Sequence, residues 1–457
     1  MRKKLIGLLA IGAVAVLSLT ACTSGGGNNN KSGSNIDYSA KPSGTLNSWS
    51  FNNADDVGKA RLAYAAAHLK GVTVKIDGTP FDAQKFTTRL ASGNVPDIVQ
   101  LDRTAVTQYA AQGLLEPLDK CFSARNITPD KRWYPYVVDD VKYKGQIWAT
   151  PQFYQPPAIL LNEKVMKAAG VTDADINTSK PDELVAAIQK MYKASGGNPT
   201  TLGLDPNVPG NIGLWILGTG GQLNDSTGKP TLDDPKNVAG LDLLKKIMDA
   251  QGGYAKVESF TGSFNSFGDN NQFVENQVGA QVDAQWYPNV IAPYLDKIDV
   301  RAVPFMASNG KPFSVASGTA FAIPKGAKNP VAACAWMDEI TNYDSWIAAE
   351  KARVATLAKN HGINTGLFTG SPQADQAIRK QYVKASGNTD FDQVIQTYYK
   401  VLDYGKTFGS SPAGQTINQE LSNAMTAVLL GQKSATDALK SAQAASLRAY
   451  NSAVKGG

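Results

Sequence analysis

Reactive side chains are scarce in this 457-residue chain: two histidines, three cysteines and a few adjacent acid pairs. His68 and His361 belong to no H-E-x-x-H run, so no zinc-protease spacing is present, and both read as surface or local structural residues. The acid doublets are Asp55-Asp56, Asp139-Asp140, Asp233-Asp234 and Asp338-Glu339. Two carboxyl groups held about 5–9 Å apart hydrolyse glycosides, and adjacency in sequence neither supplies nor excludes that separation. Asp234 before Pro235 reads as a helix cap, and the other doublets as caps or solvated faces. No G-x-S-x-G elbow occurs, nor a G-x-G-x-x-G after a strand, nor a G-K-[ST], which argues against a serine esterase and a phosphate cradle.

Aromatic residues beside amides and short acids are far more plentiful, with 7 Trp and 17 Tyr in the chain. Ring faces cover apolar C–H surface, while amide, carboxylate and guanidinium groups pair with hydroxyls. That combination suits reversible recognition of a polyhydroxylated solute such as a sugar. Trp49-Ser50-Phe51-Asn52-Asn53 leaves a strand into a polar loop, and crevices in α/β sheets open at such strand ends. Trp49, Asn52 and Asn53 are therefore site candidates, with a core tryptophan as the alternative for Trp49. Asn211 and Trp215, in the segment GNIGLWILGTGG, are a second pair of candidates.

The elements that would position them alternate between strand and helix. Thr45 to Trp49, the alternating Val72, Val74 and Ile76, and Asp97 to Leu101 read as strands. Ala83, Phe86 and Leu90 form one face of a helix between the last two. Pro181, Pro235 and Pro330 open further helices, and Ser434-Ala435-Thr436-Asp437 caps the last one. Strands separated by helices indicate βαβ units, so the fold class is α/β with a mostly parallel sheet.

Hydrophobic residues make up 42% and charged residues 18%, a globular composition that excludes a disordered chain or a coiled coil. The formal charge is +6, but Arg2, Lys3 and Lys4 precede the apolar stretch Leu5 to Leu19 as in an export signal. Without those three the balance is 42 basic against 39 acidic, too small to suggest nucleic-acid binding. Leu19-Thr20-Ala21-Cys22 resembles a bacterial lipobox, which makes Cys22 the expected lipid-bearing N-terminus after removal of residues 1–21. An uncleaved anchor helix is the alternative, although the apolar run is short for one. The Ser/Gly/Asn-rich residues that follow make 22–43 a flexible tether. Cys121 and Cys334 then remain, 213 positions apart, and read as two buried thiols, with a disulfide as the alternative.

The order of local patterns resembles the extracellular solute-binding proteins of ABC importers, in the sugar-binding group that includes the maltodextrin-binding protein. The resemblance begins at FTTRLASGNVPDIVQL (Phe86 to Leu101) and continues through Gln112 to Leu118, then Lys144 to Pro151. Leu160 to Glu163, Pro181 to Leu184, Phe273 to Ala280 with Trp286, and Gly318 to Met337 follow in one colinear order. It implies two α/β lobes joined by hinge strands, a class II binding-protein architecture. Carried onto this chain, lobe 1 is 44–154 with 290–350, and lobe 2 is 155–289 with 351–457.

For the site, the resemblance implies ligand contacts at Asp102 and Arg103, although a local loop salt bridge would also explain that pair. It implies further contacts at the first crossing between lobes, at Gln152, Phe153 and Gln155, with a Gln where the relative has a carboxylate. Trp286 would stack on the ligand, with Ser317 and Thr319 near a later crossing. The implied function is capture of a carbohydrate, in all expectation an oligosaccharide, for delivery to an ABC permease. The protein would be a monomer held by its lipid at the outer face of the bacterial membrane, without metal, cofactor or catalysis. A peptide or polyamine ligand on the same architecture, or an exported glycosidase, are the alternatives.

Overall fold

The computed structural model describes residues 36–51, 54–315, 317–359 and 362–456. The expected lipid anchor at Cys22, the expected tether up to residue 35, the candidates Asn52 and Asn53, and His361 lie outside the described residues.

Two five-stranded sheets organise the chain. In the first, Val72–Asp77, Gly44–Trp49 and Ile98–Asp102 run parallel, as the alternating strand and helix patterns require. Thr319–Ala322 then returns antiparallel to Ile98–Asp102, and Thr150–Gln152 closes the edge. The helix Ala83–Ala91 forms where Asp82 accepts the Lys85 amide at 2.6 Å, and it buries Phe86 against the sheet. The second sheet runs Val300–Val303, Pro157–Asn162, Val278–Ala284, Asn198–Asp205, Lys193–Ser195. Pro157–Asn162 is buried at all six positions, which is why PAILLN reads as an unbroken apolar run. Asn162 then caps the helix Glu163–Ala169, and Gly170 closes it in the left-handed conformation at φ 64°.

Three segments cross between the two layers and hydrogen-bond side by side. The Gln155 amide donates to the Ser317 carbonyl at 3.0 Å, and the Ser317 hydroxyl donates to the Gln155 carbonyl at 2.6 Å. The Tyr154 amide donates to the Phe368 carbonyl at 3.1 Å, bringing in the third segment. The expected boundary at 290 falls inside the second layer, because Val300–Val303 pairs with Pro157–Asn162. Likewise 350 falls within the helix Tyr343–Lys359, which packs along Asp56–His68 of the first layer.

Arg103 departs from its expected place. Its guanidinium is buried, with Nε 3.3 Å from Asp140 Oδ2 and Nη1 donating to the Phe153 carbonyl at 2.6 Å. A side chain at Gly318 would collide with this guanidinium and with the Phe153 carbonyl, so only glycine allows the crossings to approach here. The cysteines also depart from the thiol reading. Cys121 on Asp119–Ala124 and Cys334 on Pro330–Thr341 form a disulfide with Cα atoms 5.8 Å apart. The fold brings together helices that the sequence separates, which spacing alone does not reveal.

Candidate functional site

A cavity of about 310 Å³ opens between the two layers, and the crossing segments form its back. The first layer contributes Asp55, Gln100, Thr319 and Arg353, the crossings contribute Phe153 and Gln155, and the second layer contributes Gln285, Trp286 and Asn289. Gly366 to Phe368 complete the wall.

The floor is ordered from beneath by Arg61. This guanidinium is fully buried, donates from Nε to the Ile340 carbonyl at 2.8 Å, and stacks on Trp346 at 3.9 Å. Burial lowers its pKa to about 9, while the Asp55 carboxylate acts to raise it, so it is charged at neutral pH. Arg61 Nη2 donates to Gln152 Oε1 at 2.8 Å. Gln152 Nε2 then donates to Gln100 Oε1 at 2.9 Å and to Thr319 Oγ1 at 3.1 Å. Because arginine only donates, this chain leaves Gln100 presenting its Nε2 to the cavity.

The opposite wall supplies side-chain amides. Gln285 Oε1 and Asn289 Oδ1 are buried without a donor among the described residues, and Asn289 Nδ2 donates to the Trp286 carbonyl at 3.4 Å. Trp286 between them is 37% exposed, an unusual state for a tryptophan, and its ring offers a flat apolar face. Below this wall, Gln281 Nε2 donates to Asp283 Oδ2 at 2.9 Å, and burial raises the Asp283 carboxyl to about 7.

The cleft's charges are compensated. Arg353 lies 3.0 Å from both Asp55 Oδ2 and Asp56 Oδ1, and the buried Arg61 also acts on the Asp55 carboxylate. The third crossing is held by Asp375, whose Oδ1 accepts the Thr369 amide and hydroxyl, each at 2.7 Å. Among the described residues no cluster of three or more His, Cys, Asp or Glu could hold a metal ion.

Of the residues singled out in the sequence, Phe153, Gln155, Trp286 and Thr319 come together around this cavity. Phe153 adopts φ 59°, a strained conformation for a side chain of its size, and its ring packs edge-on to Trp346. Ser317 touches the Gln155 backbone behind the cavity, and Gln152 lies wholly buried beneath the floor. Asp102 is exposed at the end of its strand, in register with Thr319, and does not line the cavity.

Trp49 and Trp215 belong to the core. Trp49 donates to Thr79 Oγ1 at 3.0 Å under the Arg89 guanidinium, and Trp215 packs edge-on to Phe305. Asn211 hydrogen-bonds back to the Asn207 carbonyl at 3.2 Å. Sequence reading missed Gln100, Gln285, Asn289, Asp55, Arg353 and the Gly366 to Phe368 wall. Gln100 precedes Asp102 by two on one strand and so shares its face, and Gln285 and Asn289 flank Trp286. Those were readable signals, whereas nothing local announces Arg353 or Phe368.

Two α/β layers, three adjacent crossings and a polar cleft between them define a two-lobed binding-protein fold. Residues 54–345, more than half of the chain, match the family described as bacterial extracellular solute-binding protein, and the chain belongs to that family. The diacetylchitobiose binding protein DasA of Streptomyces coelicolor is 26% identical over 261 residues, covering 54% of this chain. The chain spans 56% of the length of that relative. Among solved structures, CpMnBP1 with mannotriose bound is similar at a TM-score of 0.70 and 23% identity, covering 88% of this chain and 99% of that one. UgpB from Mycobacterium tuberculosis in complex with glycerophosphocholine is similar at 0.65 and 16%, covering 90% and 99%. No helix among the described residues is long and apolar enough to cross a membrane.

Proposed function

We propose that this protein captures an uncharged carbohydrate, an oligosaccharide, in the cleft and delivers it to the transmembrane subunits of an ABC importer. The observation that carries this reading is the exposed Trp286 face at a cleft also lined by the amides of Gln100, Gln155 and Gln285. A sugar ring supplies C–H groups for the former and hydroxyl donors for the latter, and Gln100 Nε2 opposite donates to a hydroxyl oxygen. The relatives that bind diacetylchitobiose and mannotriose support the sugar class.

A cation such as a polyamine would need uncompensated acids, and Asp55, the acid in the cavity lining, is paired with Arg353 at 3.0 Å. A phosphoryl ligand like that of UgpB would need free cations there, and the same pairing disfavours it. Lobe 1 comprises about 44–152 with 319–359 and lobe 2 about 157–315 with 372–457, so a ligand touching Gln100 and Trp286 binds both. Such a ligand favours the closed arrangement because only there does it contact both walls. Cys22 carries the lipid that holds the monomeric receptor at the outer face of the membrane. Cys22→Ala should release the protein into the medium and abolish palmitate labelling, and retention with label would refute the anchor.

Calorimetric titration with neutral mono- and oligosaccharides, polyamines and peptides tests the ligand class. Saturable binding of a neutral sugar is expected, and Trp286→Ala should weaken it about ten- to a hundredfold. Binding of none of the sugars overturns the carbohydrate reading.

A further inference from the structure

Gly366, Leu367 and Phe368 close one wall of the cavity, yet they belong to neither a helix nor a strand. The segment from Thr365 to Ser371 is buried at every position, so its amides and carbonyls must find partners inside the protein. The Phe368 carbonyl accepts the Tyr154 amide at 3.1 Å, and the Gly370 carbonyl accepts the Tyr134 amide at 3.0 Å. The alternate amides meet carboxylates instead. Leu367 donates to Glu350 Oε2 at 3.2 Å, and Thr369 donates to Asp375 Oδ1 at 2.7 Å. The pairing alternates as in a sheet, with side-chain carboxylates where a neighbouring strand's carbonyls would be.

Both acids are fully buried, and neither lines the cavity. Glu350 sits on the helix Tyr343–Lys359 and Asp375 on Pro372–Gln381, and the two helices pack together. Asn364 Nδ2 donates to Glu350 Oε1 and, at 3.2 Å, to the Tyr382 carbonyl. Asn364 Oδ1 in turn accepts the Gly366 amide at 3.2 Å. Gly366 is held at φ 84°, where a side chain would collide with the Tyr399 hydroxyl, and the Tyr399 ring packs 4.6 Å from that of Phe368. Two buried acids are a costly way to satisfy two amides, which an ordinary strand would satisfy without charge. A charged acceptor also makes the stronger tie.

We propose that Glu350 and Asp375 are positioning residues for ligand binding, a pair of carboxylate clamps that fixes Leu367 and Phe368 at the cleft and so sets affinity without touching the ligand. Without the clamps, a ligand would have to order this wall itself and would bind less tightly. The proposal rests on the carbohydrate reading above for the ligand used in its test.

The test pairs calorimetry, with whichever neutral sugar binds the wild type, with hydrogen exchange at the Leu367 and Thr369 amides. Glu350→Ala and Asp375→Ala should each weaken the sugar about tenfold and speed exchange at the amide concerned. Asp375→Asn, which keeps Oδ1, should rescue most of both losses. The Cys121→Ser, Cys334→Ser protein, destabilised elsewhere, should bind within about twofold of wild type. Where an alanine variant does not fold, Thr369→Val takes its place: it removes the hydroxyl that donates to Asp375 Oδ1 and should weaken binding about threefold. Wild-type affinity in these variants, or an equal loss in the disulfide-free protein, overturns the clamp while leaving the sugar reading intact. Wild-type protein that binds no sugar overturns the sugar reading, and exchange then decides on the clamp alone. Unchanged exchange at both amides in the variants overturns it.

Discussion

Arg61 Nη2 lies 2.8 Å from Gln152 Oε1, and this contact decides which end of a different side chain faces the cleft. An arginine can only donate, so Gln152 must turn its nitrogen toward Gln100, and Gln100 must turn its own nitrogen toward the cleft. Gln152→Glu keeps an acceptor for Arg61 but removes the donor to Gln100 Oε1, which should reverse the Gln100 amide. We expect a loss of about 1–1.5 kcal/mol in sugar affinity, with Gln100→Ala losing a similar amount. The double variant should lose no more than either single one, because the residues act in series. Additive losses in a calorimetric double-mutant cycle would show that the chain does not transmit orientation.

Arg103 and Asp140 predict a different phenotype. Burial raises the Asp140 carboxyl while Arg103 opposes that shift, and Thr407 also donates to it. Arg103→Met leaves the carboxyl without its cation and frees the Phe153 carbonyl. Stability should fall by about 3–5 kcal/mol in urea unfolding. Asp102→Ala, at an exposed strand end, should stay within about 0.5 kcal/mol of wild type. Equal stability of the two variants would argue against a buried Arg103–Asp140 pair in solution.

The Cys121–Cys334 disulfide joins two helices of the first layer and closes a loop of 213 positions that includes the whole second sheet. Loop-closure entropy in the unfolded chain makes its loss worth about 2–5 kcal/mol. A Cys121→Ser, Cys334→Ser protein should melt at lower temperature than the oxidised wild type and no longer respond to reductant. Identical melting of oxidised and reduced wild type would mean that the bond contributes nothing.

Asp375 gives a pH dependence with a definite sign. Burial raises its carboxyl to about 7 in the folded protein, above the ordinary value near 4 of an unfolded chain. Between these values the native state binds more protons, so stability declines as pH rises from about 4 to 7. Asp375→Asn keeps the acceptor for Thr369 and should be more stable than wild type at pH 8 but comparable at pH 4. Denaturant midpoints across that range check this. A slope no smaller than that of wild type in the variant would remove Asp375 from the account, because Asp205 and Asp283 also titrate high.

The sequence by itself determined the elements and much of the site's location. Periodicity at Val72, Val74 and Ile76, the apolar run Pro157–Asn162 and the proline-opened helices are local properties, so strands and helices could be read directly. Phe153, Gln155, Trp286 and Thr319 were legible through the colinear family patterns that surround them, not through spacing. Tertiary structure alone decided the rest. Trp49 sits at a strand end as a site residue would, yet Arg89 and Phe86 cover it, and Arg103 is drawn inward by Asp140, which lies 37 positions away. Arg353, Phe368 and the Cys121–Cys334 bond depend on distant segments meeting, and no spacing along the chain encodes such a meeting. The physical reason is that local geometry sets which way a side chain points, whereas burial and pairing depend on what the folded chain brings against it.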